Sequence, residues 1–393
     1  MVVFMAGKSI LFENRKNIFP QSTTMKIARI EIFKLNVPLT EPFVISLETI
    51  TDANNLVVRI HTDTGLWGTG EASPLSTICG ETQETQFELA QIFAKALCGK
   101  DPLEIENRLA DINKIVAVNT TIKSAFDMAL FDLAAKTAQM PLYQFLGGAN
   151  DRTILTDMTV GINTPEAVAK KALQYKNKGF AALKVKLGTT TAMDVARIKA
   201  IRDAVGYEIP LRIDANQGWN AVTAIRTLKA LEPYNIEHCE EPVPHWNNAD
   251  LARVRANSPI SIMADESVFD HHDAFRLAAM GACDYFNIKL SKSGGIFVAL
   301  KIIAVAEAAG IKSQVGCMQE TRFALTALAH LVAARKNIVH IDMDSCLMLS
   351  ADPVTGGIEY HDGGRWTIPE TPGIGADFDG NYLDTMPKAV VHA

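Results

Sequence analysis

The residues of this 393-residue chain that could do chemistry recur at a regular interval. Lys184 and Lys186 stand in Leu-Lys-Val-Lys, Asp214 in Asp-Ala-Asn, Glu240 in Glu-Glu-Pro, Asp265 in Ala-Asp-Glu-Ser and Lys289 in Asn-Ile-Lys-Leu. The steps from 214 to 240, 240 to 265 and 265 to 289 are 26, 25 and 24 residues, which is one strand, one helix and their connections each time. Each group ends a short apolar run, so the repeat sets them at matching heights on neighbouring strands. Three carboxylates brought together in this way repel one another unless a cation lies among them. Oxygen ligands alone suit a hard divalent ion, Mg²⁺ above all. Lys184 and Lys186 share one face of their strand because side chains alternate. Two bases facing each other across a bound substrate, Lys186 and Lys289, suit removal of a proton from one face and its return to the other.

The elements that must position these groups are short. Eight apolar runs, at 156–160, 182–187, 211–215, 236–240, 260–265, 285–290, 313–317 and 338–342, alternate with amphipathic helical stretches. That is the count of a (β/α)8 barrel over 151–352, with one helix missing or replaced. In such a barrel the active site forms at the C-terminal ends of the strands, where the acids and lysines fall. An open doubly wound sheet would carry GxGxxG after its first strand, and this chain does not. Before the barrel, residues 26–75 alternate as strands with a turn around Asp63, Gly65 and Gly68, and residues 81–146 turn helical. Strands and helices in separate blocks read as a compact α+β domain over 25–150. The Gly-, Pro- and Asp-rich segment from about 353 to 393 is expected to return to that domain. Residues 1–24 have charges in the wrong order for a secretory signal and read as an unstructured extension, or as translation from an upstream start.

Composition removes several classes of function. A hydrophobic share of 48% and a charged share of 21% belong to a globular protein. With 38 basic against 44 acidic residues, a net charge of -6 and no basic cluster, nucleic acid is not an expected partner. No apolar run approaches the ~18 residues of a membrane span. The 6 cysteines lie far apart without CxxC spacing, which argues against zinc or redox motifs and for a reducing, cytoplasmic setting. The expected partner is a small molecule. Homo-oligomers are common for such barrels, but no residue identifies an interface.

From about Met25 to beyond residue 370 the order Lys-x-Lys, Asp-Ala-Asn, Glu-x-Pro, Ala-Asp-Glu-Ser, Asn-Ile-Lys-Leu resembles the enolase superfamily, in its muconate lactonizing enzyme subgroup. The resemblance implies a modified TIM-like barrel under a capping domain built from both ends of the chain. It implies one Mg²⁺ per subunit on Asp214, Glu240 and Asp265, with Lys186 and Lys289 as acid/base catalysts and Lys184 beside them. A lysine base with Mg²⁺ stabilising an ene-diolate is a known pairing in that superfamily.

Asp342 and Asp344, at i and i+2 in the eighth strand, both face the interior by alternation and suit a substrate bearing a positive charge. An Asp-x-Asp there looks like the superfamily's dipeptide epimerases, in which it holds the substrate ammonium. Asp157-Met-Thr159 and Gly316-Cys317-Met318 resemble that group's substrate-contacting segments, so Thr159 and Cys317 are expected contacts. The implied reaction inverts the Cα of a dipeptide's C-terminal residue, with L-Ala-D-Glu/L-Ala-L-Glu, useful in recycling cell-wall peptides, placed first. Other Ala-Xaa dipeptides, or a cycloisomerase or o-succinylbenzoate synthase type of reaction, are the alternatives. Glu48 stands in the cap loop where some Ala-Glu epimerases carry an arginine. Either a cation such as Arg59 or Arg322 compensates, or Glu48 points away, or the second residue is not glutamate.

Overall fold

A computed structural model of the protein describes residues 25–393, and the expected extension over 1–24 lies outside the described residues. Alternation of apolar residues builds the sheet of the first domain. Ile27–Val44 pairs antiparallel with Thr49–Thr62, which pairs with Trp67–Ala72. Lys388–His392, from the far end of the chain, adds to the other side of Ile27–Val44. Ile30, Ile32, Val58 and Ile60 form one face, which buries against Phe93 and Phe126 of helices Gln83–Leu97 and Thr120–Thr137. Phe33, Leu35, Val37 and Val57, one residue out of phase, belong instead to an apolar cluster continuous with the barrel. A period of two thus serves two cores at once.

Gly68 does not lie in the expected turn. It belongs to strand Trp67–Ala72, and a Cβ there would collide with the Ala129 carbonyl, as one at Gly70 would with that of Ala125. The two glycines let the strand lie directly on the backbone of helix Thr120–Thr137, which is buried from Thr121 to Ala135.

The barrel strands are Met158–Val160, Leu183–Lys186, Leu211–Asp214, Ile236–Glu240, Ser261–Ala264, Tyr285–Ile288, Lys312–Val315 and Ile338–Ile341. These 8 strands lie side by side in chain order, all parallel. The Asp157 amide donates to the Ile341 carbonyl at 3.2 Å and joins the two ends of the sheet. Six of the following helices begin at a residue whose side chain accepts a first-turn amide: Thr164, Thr190, Asn220, Asn247, Asp270 and Thr321. Such caps stabilise a helix by about 1 kcal/mol each. Helix Ile296–Ala309 starts at Gly295, which has no side chain to offer. Asp127 of the first domain caps it instead, accepting from the amides of Ile296 at 2.5 Å and Phe297 at 3.1 Å. Among the described residues no α-helix directly follows strand eight. A 3-10 turn at Ser345–Met348 and the pairing of Val354–Gly356 with Ala376–Phe378 replace it.

His330, on helix Arg322–Ala334, ties three parts of the fold together. Its Nδ1 accepts the Tyr143 amide at 3.1 Å, and its Nε2 donates to the Ile374 carbonyl at 2.9 Å. This pairing needs the neutral ring, and burial lowers the imidazole from 6.5 to about 4. The unfolded chain therefore binds this proton at higher pH than the folded one does. The stability that the neutral ring contributes is complete above 6.5 and is lost as the pH falls toward 4. Urea denaturation at several pH values should show a loss of about 3 kcal/mol from this group, absent in His330→Gln. Equal pH slopes for the two proteins would remove His330 as the source.

Candidate active site

The strand register carries the acids and lysines to one end of the barrel. Lys186 is the neighbour of Asp214, and Asp214 of Glu240, on adjacent strands. Asp265 and Lys289 each sit one residue beyond strands five and six. Lys184 Nζ lies 3.2 Å from Asp214, 2.9 Å from Glu240 and 2.8 Å from Asp342. Lys186 Nζ is 2.6 Å from Asp214, and Lys289 Nζ is 2.8 Å from Asp265. Lys186 and Lys289 stand at the C-terminal ends of strands two and six of 8, half a turn of the barrel apart. They line one cavity with Thr159, Lys184, Asn216, Cys317, Asp342 and Asp344. The acids and lysines expected at the barrel mouth, with Thr159, Cys317, Asp342 and Asp344, are thus brought together.

One of them, Asp344, arrives by a different route from the one expected. Strand eight ends at Ile341, and Asp344 has helical backbone angles, so alternation does not aim it. Its carboxylate is turned inward because Oδ2 accepts the Thr159 amide, at 2.7 Å, from the neighbouring first strand. The sequence also left Lys292 unmarked. It is wholly buried, 2.5 Å from Asp265, and its Nζ donates to the Asn287 carbonyl at 3.0 Å. Its signal was the i, i+3 spacing from Lys289, readable only once a short helix, Leu290–Ser293, is known to begin there.

The consecutive glutamates diverge. Glu241 has a left-handed backbone, φ 35°, and its carboxylate accepts the amides of Asp265 (2.7 Å) and Ser267 (3.1 Å). Glu240 remains in the mouth, where it accepts from Asn287 Nδ2 at 2.9 Å and Gln314 Nε2 at 3.1 Å. Asn216 and Gln217 are also left-handed, so backbone strain gathers at this end of the barrel.

Charge is unevenly balanced within the cluster. Burial alone would raise Asp214 and Asp265. Lys186 and Lys184 outweigh it at Asp214, as Lys289 and Lys292 do at Asp265, and both carboxyls lie well below their usual range. Burial would lower Lys184, but Asp342, Glu240 and Asp214 hold it well above its usual value. At Glu240 burial and the Asp214 charge prevail over Lys184 and push the carboxyl up to about 8. Burial and Asp265 raise neighbouring Glu266 to about 7. Asp265 Oδ2 has no well-aligned hydrogen-bond donor, and Glu266 Oε2 has no partner. Buried carboxylate oxygens clustered in this way suit a hard divalent cation, and Asp214, Glu240 and Asp265 would be the residues to hold it.

The first domain closes the cavity from above. Ser46 Oγ donates to the Asn216 carbonyl at 2.7 Å and pins the loop that follows strand Ile27–Val44. Phe43, Ile45 and Ile50 of this loop region, with Leu75, Ile78 and Met348, form an apolar roof. Glu48 does not line the cavity: it accepts from the Thr77 hydroxyl and lines an adjoining recess with Thr51 and Asp52, on the other side of Ile50 and Leu75. Arg59 is paired with Asp377 at 2.7 Å and Arg322 with Asp352 at 2.7 Å, and neither lines the cavity.

A capped parallel barrel with buried acids and opposed lysines at its mouth defines a class of proteins suited to acid–base chemistry on a small anionic molecule. Comparison with known proteins narrows the class. Residues 27–147 match the mandelate racemase / muconate lactonizing enzyme N-terminal domain, and residues 167–382 the enolase C-terminal domain-like family. The chain belongs to the mandelate racemase / muconate lactonizing enzyme family of the enolase superfamily. It is 49% identical to a D-Ala-D/L-Ala epimerase of Cytophaga hutchinsonii, over 94% of this chain and 100% of that protein. It is 43% identical to a hydrophobic dipeptide epimerase of Enterococcus faecalis, over 89% of this chain and 99% of that protein. The crystal structure of the Cytophaga hutchinsonii dipeptide epimerase with Mg and D-Ala-L-Val superposes with a TM-score of 0.92. The two are 48% identical, and the match covers 93% of this chain and 100% of that one.

Lys292→Met removes one of two cations from a wholly buried carboxylate, and such a change is expected to destabilise the fold by about 3 kcal/mol. Equilibrium urea denaturation measures it. A loss below about 1 kcal/mol, the size of an exposed ion pair, would mean that Lys289 alone compensates Asp265.

Proposed function

We propose that the protein is a Mg²⁺-dependent dipeptide epimerase inverting the Cα of the C-terminal residue, with Ala-Xaa dipeptides whose second side chain is uncharged as its substrates. The observation that carries this reading is the placement of Lys186 and Lys289 half a barrel apart in one cavity, with the carboxylate cluster between them. One lysine takes the Cα proton and the other returns a proton to the opposite face, so both configurations are reached from either side. Asp214, Glu240 and Asp265 would hold the ion. When bound, the ion supplies positive charge against the charge that builds on the substrate carboxylate as the proton leaves. Lys184, shared among Asp214, Glu240 and Asp342, keeps Asp214 and Asp342 ionised and orients all three.

Asp344 is the residue we assign to the substrate ammonium, together with Asp342. Asp342 already has Lys184, whereas Asp344 has the Thr159 amide and the Cys317 thiol as partners. Burial and the Asp342 charge raise the Asp344 carboxyl to about 6, a carboxylate to which a cation would bind favourably. Substrates of cycloisomerases and o-succinylbenzoate synthases carry no ammonium, which counts against those reactions here. Thr159 and Cys317 line the same wall and are read as substrate contacts.

The second residue is where this reading departs from the sequence-based ranking. L-Ala-D-Glu stood first, yet the roof of Phe43, Ile45, Ile50, Leu75 and Ile78 offers a glutamate side chain no cation. A buried carboxylate without a partner is strongly disfavoured. An uncharged residue, as in the dipeptides named for the two relatives above, suits the same surface. We extend the reading, as a proposal, to turnover of peptides that carry D residues, cell-wall peptides among them. The 6 free cysteines are compatible with the reducing cytoplasm.

Incubation with Ala-Ala, Ala-Val and Ala-Glu in D2O, followed by mass analysis, tests the proposal. Deuterium is expected at the C-terminal Cα, faster for Ala-Ala and Ala-Val than for Ala-Glu, stopped by EDTA and restored by Mg²⁺. No exchange with any dipeptide would reject the epimerase, and a preference for Ala-Glu would reject the role given to the roof. Asp344→Asn should lower kcat/KM for dipeptides roughly 10- to 150-fold, the equivalent of ~1.5–3 kcal/mol for a charged hydrogen bond. Unchanged kinetics would clear Asp344 of the ammonium role.

A further inference from the structure

The acids of the barrel mouth are not the only buried carboxylates near the cavity. Glu71, on cap strand Trp67–Ala72, is fully buried and accepts four hydrogen bonds. Oε1 accepts from Asn55 Nδ2 at 2.8 Å and from the Thr321 amide at 2.9 Å. Oε2 accepts from the Thr321 hydroxyl at 2.8 Å and from the Ala324 amide at 3.1 Å. The neighbours of Glu71 reach the same segment. Asn55 Nδ2 also donates to the Gln319 carbonyl at 2.9 Å, and Ser73 Oγ accepts the Gln319 amide at 3.1 Å. These bonds run from the first domain to the loop between strand seven and helix Arg322–Ala334. Cys317, Met318 and Gln319 of that loop line the catalytic cavity.

We propose that Glu71 is a positioning residue for substrate: from the cap it sets the height of the Cys317–Met318–Gln319 wall over the bound dipeptide. The inference deepens the epimerase reading and rests on it. Geometry separates Glu71 from the other carboxylates at the domain boundary. Asp127 is equally buried and also caps a barrel helix, but no residue of that helix lines the cavity, whereas Thr321, held by Glu71, is two residues from Gln319, which does. Glu71 instead holds the C-terminal end of a loop whose Cys317, Met318 and Gln319 line the cavity. Polar ties place the loop at Gln319, Glu320 and Thr321: the cap holds Gln319 and Thr321, while Glu320 accepts from Ser291 Oγ at 3.0 Å and Ser345 Oγ at 2.9 Å on the barrel side. Substituting glutamine keeps the volume but turns an amide group toward the Thr321 hydroxyl and the Ala324 amide, and an N–H facing an N–H pushes the loop away.

The test uses the full chain with Glu71→Gln and the dipeptide that the unaltered protein turns over best. KM is expected to rise at least tenfold with kcat changed less than threefold. Cys317 should react at least fivefold faster with a small thiol reagent, read by peptide mass mapping against Cys98. Asp127→Asn is expected to lower the melting temperature while leaving KM and the Cys317 rate as they were. An unchanged KM in folded Glu71→Gln overturns the proposal, and so does an equal rise in Asp127→Asn. If Glu71→Gln does not fold, Thr321→Val, which removes one hydroxyl donor, is read by the same criteria. If the unaltered protein turns over no dipeptide, the epimerase reading fails by itself. The Cys317 rate then decides on Glu71: acceleration supports the hold on the loop and an unchanged rate overturns it.

Discussion

Negative charge buried at one end of a parallel barrel is the constraint that the rest of this molecule answers. Asp214, Glu240 and Asp265 are fully buried, and isolated carboxylates so placed would take up protons. Lysines prevent this by geometry. The compact ammonium of Lys184 reaches three acids from a single position, which a planar guanidinium would do less readily. Lys292 and Lys289 hold Asp265 from two sides. The compensation stops short at Glu240 and Glu266, whose raised pKa values mark where positive charge is still wanted.

The first domain serves that cluster by excluding water and by fixing loops. Its apolar roof lowers the local dielectric, which strengthens every charge interaction beneath it. Its attachment joins the apolar cluster of Phe33, Leu35, Val37 and Val57 to a set of polar ties. Asp127 caps helix Ile296–Ala309, and Asp132 accepts the amides of Thr69 and Ile374 at 3.0 and 2.8 Å. Glu71 accepts those of Thr321 and Ala324. Asp127 and Glu71 satisfy barrel amides that would otherwise be orphaned where the two parts meet, and Asp132 does the same for the first domain and the C-terminal segment. Such contacts are directional, so the roof and the loop walls keep one position relative to the barrel.

Much of the barrel could be read from the chain because its determinants are local. Each strand-end acid or lysine belongs to its own short apolar run, and steps of 24 to 26 residues reflect a unit that repeats. Other features had no local signal. Gly68 looked like turn chemistry, but it is needed by a helix more than 50 residues further along. Lys292 gained meaning only from the turn of helix that places it under Asp265. Glu240 and Glu241 are chemically alike, and the left-handed backbone of Glu241 is what separates their roles.

The sequence by itself determined the strand count, the alternation that builds the first domain's sheet, and the residues that meet at the barrel mouth. Periodicity and spacing are properties of single segments, and parallel strands in chain order translate them directly into neighbours. Only the tertiary structure decided that Glu48 faces Thr77 rather than the cavity, that Arg59 and Arg322 are engaged elsewhere, and that Asp344 is aimed by the amide of strand one. Those outcomes depend on contacts between residues tens to hundreds of positions apart. No local pattern encodes them, and they shape the surface that a substrate side chain would meet.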